Sequence, residues 1–463
     1  MLQGKEGQME NKYNVKYGEF TRKMLWSLRN SKDNIVFSPV SLLILLGMLA
    51  DATGSDTRNE IINVIGGNCY EDAMKWIKEL EMELSMSEKI MLANAVFIRP
   101  DLKGKIANGY EDRLKNIYNG RLFATEDIAA EVNTWIKNQT GGMIPEIDEN
   151  SFRDKLACLM NAVAFNARWE EKYEYDDIVM DDFHNADGTI NNISMLRSHE
   201  DYYIENDYFT GFTKFYEGRG YSYMALLPKQ EDYDSLERAI EEIDFSRIFS
   251  EREQADVMVQ IPEYKNEFDS CLNDFFIQMG IRLAFSSAAD FMPMIDEWVK
   301  VDEISHKAFL QLDRNGTKAI ALSYACLGAG GCSGLSQRCV MLDRPFIYAV
   351  IHNATGLPVF VGRVNHLEKG DFEFTKEEYE ISTDRLDEYE PEPHEFSSEE
   401  EKKAYAKKMF RKIAKNIHPG VNPLYETTKK IQDLYEELQN SYKECDVRML
   451  DIIEHEVELI LKE

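Results

Sequence analysis

A strand pattern running without a break into a glycine-rich tip is the feature that most constrains this chain. From Thr317 every second side chain is small: Thr317, Ala319, Ala321, Ser323 and Ala325. Between them stand the longer Lys318, Ile320, Leu322 and Tyr324. This alternation reads as a strand with one smooth and one bulky face. Leu327-Gly328-Ala329-Gly330-Gly331-Cys332-Ser333-Gly334 follows at once, and its glycines predict an exposed, cleavable loop. No proline stands between Thr317 and Arg344, so nothing bars the segment from the middle of a sheet. Taken alone, it fits an edge hairpin with a loose turn equally well.

The remaining composition narrows the function classes. A hydrophobic fraction of 44%, with 24 Phe and 23 Tyr, can fill a large core. Asp and Glu number 83 against 53 Lys and Arg, and the formal charge of −30 argues against nucleic acid and anionic membranes as partners. No apolar run is long enough to span a bilayer. The stretch Met1 to Gln8 lacks the apolar core of a signal peptide, which predicts a cytoplasmic protein; leaderless secretion stays open. Seven scattered cysteines suit reduced thiols better than a disulfide framework. The glycosylation sequon at Asn315 points the same way, since a glycan there would obstruct burial of the strand that follows.

Taken in order, the chain opens with a helix whose face carries Tyr17, Phe20, Met24 and Leu28. Asn34-Ile35-Val36-Phe37 reads as a strand entering a helix, with Ser38 as cap and Pro39 at the first helical position. The run Leu42 to Leu49 is apolar almost all round and predicts burial. The words Phe37-Ser38-Pro39-Val40-Ser41, Gly54 and Thr57-Arg58 resemble the opening of a serpin. Similar words follow in register: Leu92 to Phe97, Val132 to Trp135 with Thr140 to Ile144, and Met160 to Phe165 ending at Trp169. Further on come Ala225 to Pro228, Ile261 to Tyr264, Val301 to Phe309, Asp343 to Phe346 and Val361 to Val364. The resemblance covers roughly Tyr13 to Asn365.

It implies an α+β serpin-like fold of three β-sheets and about nine helices, with an exposed reactive-centre loop that enters the main sheet after cleavage. The chain would then be a protease inhibitor acting as a suicide substrate, not an enzyme, and would need no cofactor or metal. Its hinge would be Gly316, Thr317, Lys318, Ala319, Ile320, Ala321, Leu322 and Ser323. Gly316 would give the hinge freedom, and the small alternate residues meet the needs of an inserting strand. Arg314, Asn315 and Lys318 stand where that family usually carries acids, and are expected to face solvent. The scissile bond falls within Ala329, Gly330, Gly331, Cys332, Ser333 and Gly334, with Cys332-Ser333 preferred. Small residues there suggest an elastase-like serine protease; a cysteine protease is the alternative target. The competing class is a non-inhibitory serpin scaffold serving as a protein-binding or chaperone-linked module.

Ser38, Ser41, Asn161 and His306 match positions that in serpins gate opening of the sheet, with Trp169 at its open end. Buried together, such side chains would have to be hydrogen-bonded. A catalytic Ser–His pair would want a GxSxG elbow or an oxyanion loop, and neither is present. Cys326, Cys332 and Cys339 lack metal-ligand spacing, so they read as unpaired thiols, with a disulfide switch within the loop as the sharper alternative.

Composition changes after Asn365. The domain reading is a serpin-like unit over residues 1–366, an acidic linker over 367–396 and a small all-α module over 397–463. One helix places Ala406, Phe410, Ile413, Ala414 and Ile417 on one face, and largely Lys407, Lys408, Arg411, Lys412 and Lys415 on the other. A partner helix carries Ile431, Leu434, Leu438 and Tyr442, and a third runs from Val447 to Leu461. Phe410 to Pro423 resembles the central helix and loop of a J-domain, whose partner is Hsp70. Gly420 after His418 and Pro419 replaces the aspartate of that loop, so the module reads as degenerate, binding Hsp70 or another protein.

Overall fold

The computed structural model describes residues 2–87, 89–140, 147–148, 152, 155, 157–229, 238–317, 338–368, 398–417, 434–435, 438–439, 441–443 and 447–460. They fall into two compact units, the first ending within the described residues at Glu368 and the second beginning at Ser398.

In the first unit, helix α1 (Leu2–Ser27) precedes strand β1 (Ile35–Phe37) and helices α2 (Pro39–Ala52), α3 (Ser55–Ile65) and α4 (Tyr70–Ser85). Then come β2 (Ile90–Ile98), α5 (Tyr110–Tyr118), β3 (Arg121–Ala124), α6 (Ile128–Thr140), β4 (Ala157–Phe165) and β5 (Ala167–Arg168). Strands β6 (Ile178–His184), β7 (Ile190–Glu205), β8 (Phe209–Phe215) and β9 (Tyr221–Pro228) follow. The unit continues through β10 (Glu253–Pro262), β11 (Tyr264–Cys271), β12 (Ser305–Asp313) and β13 (Gly316–Thr317). It closes with β14 (Arg338–Met341), β15 (Phe346–His352) and β16 (Leu357–Val364).

Helix α2 forms as its sequence predicts. The Ser38 hydroxyl accepts the Ser41 amide, and Pro39 occupies the first turn, where a missing N–H costs nothing. Its residues are buried nearly throughout, because it runs through the main core. On α1, Tyr17, Phe20 and Met24 are buried, whereas Leu28 lies just past the helix end.

Among the described residues the strands make three hydrogen-bonded groups. The largest runs β1-β16-β15-β9-β8-β7-β10-β14, with β6 on β7. Strands β9 and β16 are buried along their whole length, and accordingly lack polar alternation. The other two groups are β3-β2-β4 and β11-β12-β13-β5. In β2 the alternation is productive on both faces. Ala95 and Phe97 meet Val132 and Trp135 of α6, while Val96 and Ile98 enter the main core. The Phe97 and Trp135 rings stand edge to face at 5.7 Å.

The second unit has helices at Glu399–Ile417 and Val447–Ile460, and the described residues 434–435, 438–439 and 441–443 are also helical. Ala406, Met409 and Ile413 are buried against Leu434, Leu438, Leu450, Ile453 and Val457. Met409 joins this face, whereas Phe410 and Ala414 are only half-buried, because the packed stripe is centred one residue earlier than the sequence suggests. Lys403, Lys407, Lys408, Arg411, Lys412 and Lys415 are exposed.

Gly362 shows how tightly the core closes. A Cβ there would lie 2.3 Å from the Tyr348 ring and 2.6 Å from the Ile35 carbonyl oxygen. Gly362→Ala is therefore expected to destabilise the first unit by about 1–3 kcal/mol, the usual cost of overpacking, read by chemical denaturation.

Candidate functional site

The site begins where β12 ends. The chain turns through Asp313, Arg314 and Asn315, and Gly316 and Thr317 form β13. This two-residue strand pairs antiparallel with β12 on one side, Leu312 opposite Thr317, and with β5 on the other, Gly316 opposite Arg168. Gly316 has φ of +151°, and a Cβ there would come within 2.2 Å of the Ala167 carbonyl oxygen. Glycine is thus needed for close approach of backbones, a reason separate from the conformational freedom inferred from sequence. Asp313 fixes the turn by accepting the Asn315 amide at 2.8 Å.

Arg314 overturns one expectation. It does not face solvent: it is buried and grips Glu263 with two guanidinium hydrogen bonds, at 3.0 and 2.7 Å. Its own backbone N–H donates to the same carboxylate at 2.9 Å, and Ser194 adds a fourth bond at 2.6 Å. A buried cation is tolerable only when paired so completely. Asn315 is half-buried, and Lys318 lies outside the described residues.

Trp169 seals the other side. Its indole N–H donates to the Asp313 carbonyl at 2.9 Å and its backbone N–H to the Asn315 carbonyl at 3.1 Å. The ring stacks on Tyr216 at 4.6 Å between centroids. Nearby, Lys214 and Glu200 make a buried ion pair of 2.7 Å, and the Lys214 ammonium lies 4.7 Å from the Tyr173 ring centre and 5.5 Å from that of Trp169.

Further down, β12 and β4 are not hydrogen-bonded to each other among the described residues. Here Ser38, Ser41, Asn161 and His306 come together, whereas Trp169 stands apart at the β13 end. The His306 Nε2 accepts the Ser38 amide at 3.1 Å. Ser38 Oγ donates to the Val359 carbonyl at 2.8 Å and accepts from the Ser41 amide. Ser41 Oγ donates to Asn161 Oδ1, and Asn161 passes the chain to Asn94 at 2.7 Å, which ends on the Tyr118 carbonyl. Both serine hydroxyls are engaged away from the imidazole, so this is no Ser–His nucleophile pair. Burial holds the His306 ring at about 4, below its usual range, and it is neutral at pH 7.

Asn94 and Glu263 belong to these networks but stood out in the sequence only as parts of longer words, because their partners are 67 and 51 residues away. Hinge positions Lys318, Ala319, Ile320, Ala321, Leu322 and Ser323, the window Ala329 to Gly334 and the loop His418, Pro419, Gly420 lie outside the described residues, as do Cys326 and Cys332. Cys339, on β14, is an exposed free thiol.

A family model for serpins, serine protease inhibitors, matches residues 16–367. The chain belongs to the serpin family, whose members are generally protease inhibitors rather than enzymes, and typically bind target proteases. An alpha-1-antitrypsin-like protein of Ictidomys tridecemlineatus is 26% identical over 355 residues, spanning 72% of this chain and 82% of that relative. An uncharacterized serpin-like protein of Thermococcus kodakarensis is 25% identical over 380 residues, 79% of this chain and 88% of its own length. The crystal structure of tengpin, a thermophilic serpin in its native state, superposes with a TM-score of 0.69 at 27% identity, covering 77% of this chain and 94% of that one. No helix among the described residues is long and apolar enough to cross a membrane.

Two outcomes follow from the buried groups. Glu263→Gln leaves Arg314 buried without its counter-charge and is expected to cost about 3–5 kcal/mol, whereas replacing both residues by leucine should recover most of it, as measured by urea unfolding. For His306, the unfolded ring binds its proton near pH 6.5 and the folded ring only near 4, so the unfolded state holds more protons between those values. Stability should therefore fall as pH drops from 6.5, and a thermal-midpoint series should lose that part of its slope in His306→Gln.

Proposed function

We propose that this chain inhibits a protease as a suicide substrate, by loop cleavage and insertion between β12 and β4. The observation that carries this reading is the position of β13. Gly316 and Thr317 lie between β12 and β5, antiparallel to both, at the head of the gap between β12 and β4. A strand continuing past Thr317 would run down that gap, facing β12 from Gln311 toward Ser305. The small residues Ala319, Ala321, Ser323 and Ala325 suit the face that would be covered.

The intact loop is tethered twice, at Thr317 to β5 and at Arg338 to β10. Attack by a protease serine on the scissile carbonyl forms an acyl-enzyme ester and frees the downstream amine, which removes the second tether. The upstream half then gains a ladder of backbone hydrogen bonds and buried side chains. The acylated protease is drawn along with it, and its catalytic geometry is distorted. Small residues from Ala329 to Gly334, with Cys332-Ser333 as the bond, favour an elastase-like serine protease, and a cysteine protease is the alternative. The hinge role of Gly316 to Ser323, and the role of Ser38, Ser41, Asn161 and His306 as the latch that opens with the gap, are parts of the same reading.

Incubation with pancreatic elastase and with papain, followed by denaturing electrophoresis, tests it. One of them is expected to give a covalent complex, and Ala319→Pro should convert that complex to free cleaved protein. Clean cleavage of the unaltered chain, with no complex and no rise in thermal midpoint, would leave the non-inhibitory scaffold instead.

For residues 397–463 we infer a degenerate J-like, all-α protein-binding module joined by the acidic 367–396 linker. Its support is the apolar packing of Glu399–Ile417 and the basic residues exposed along that helix. Hsp70 is the partner the J-like words suggest, and Gly420 argues for binding without ATPase stimulation.

A further inference from the structure

Beside the latch lies a cavity of about 550 Å³ within the first unit. Its walls come from β4, β12, the end of β11, α2 and the segment before β12. That volume is in the range of sites for small organic ligands, roughly 300–1,000 Å³. Leu45, Leu49, Phe291 and Met294 supply apolar surface. Trp298, 82% exposed, marks the open side.

One polar group in the wall has spare capacity. His306 is 5% exposed and lines the cavity. Its Nε2 accepts the Ser38 amide, so in the neutral ring the proton sits on Nδ1. Among the described residues nothing accepts from that N–H. That N–H is not one of the buried polar atoms left without a partner, so it is reached from the cavity, where an acceptor on a ligand can take the place of water.

The charges of the wall decide the ligand's charge. Lys155 and Lys300 both pair with Asp302 at 3.7 Å, and Lys307 pairs with Asp269 at 3.8 Å. Asp148 and Glu303 add further acids to the wall. Acids outnumber the lysines, and each lysine already has a carboxylate, so the wall offers an anion no net attraction.

The geometry points to a binding site for a neutral, largely apolar small molecule carrying one hydrogen-bond acceptor, such as an aromatic ketone, its carbonyl accepting from His306 Nδ1–H. Its rings would lie against Leu45, Leu49, Phe291 and Met294, and Trp298 would border the opening. This inference concerns the intact protein and does not depend on loop insertion.

The neutral naphthyl ketone prodan, whose emission reports polarity and hydrogen bonding, serves as the probe with the full-length intact chain. Titration should saturate at one prodan per chain with blue-shifted emission. Dimethylaminonaphthalene, which lacks the ketone, should bind about three- to tenfold more weakly, the worth of one neutral hydrogen bond. Val301→Trp, which adds bulk to the cavity wall, should abolish saturable binding, and an unchanged thermal midpoint would show that the fold survives. His306→Phe should erase the preference for the ketone. Non-saturating uptake, equal affinity for the two probes, or full binding by a folded Val301→Trp would each overturn the proposal. Because binding is read without any protease, failure here and failure of the inhibitory reading are separate results.

Discussion

Two residues of backbone, Gly316 and Thr317, connect the β11-β12 pair to the strand continuing from β4. Everything around them serves to hold the chain in that narrow place. Gly316 allows the approach to Ala167, Trp169 bonds two carbonyls of the preceding turn, and Arg314 anchors the turn from below to Glu263. Buried side-chain contacts at the turn add to the ladder that Gly316 and Thr317 make with β12 and β5.

The charged groups near this point are placed where water is absent. Arg314 with Glu263 and Lys214 with Glu200 are both almost fully buried. Such pairs contribute little net stability compared with apolar substitutes, but each is costly to break by halves. They consequently specify one geometry rather than deepen the well. The Ser38–His306 and Ser41–Asn161–Asn94 chains act similarly lower down, where a row of neutral hydrogen bonds lies beside the gap between β12 and β4. Neutral groups suit that place, since a protonated His306 would have no counter-charge within the network.

Much of this was legible from residue order. Ser38-Pro39 marked the start of α2, the serpin-like word Leu92 to Phe97 marked the strand that becomes β2, and other such words singled out Ser38, Ser41, Asn161 and His306, which the structure joins by hydrogen bonds. Arg314 was misjudged because a basic residue in a turn ordinarily faces water, and its partner Glu263 is 51 residues away. Phe410 was placed on the packed face for a related reason. A helix with apolar residues at both 409 and 410 leaves its rotation to the surface it meets, and Met409 took the buried side.

By itself the sequence determined the family, the strand potential of Thr317 to Ala325, the absence of a proline block and the change of composition after Asn365. Those are properties of neighbouring residues or of words read in order. Only the tertiary structure decided that Gly316 must be glycine for contact with Ala167, that Arg314 is an interior residue, and that His306 lines a cavity. Each of these depends on which distant strand lies alongside, and burial reverses the preferences that charge and polarity show in water.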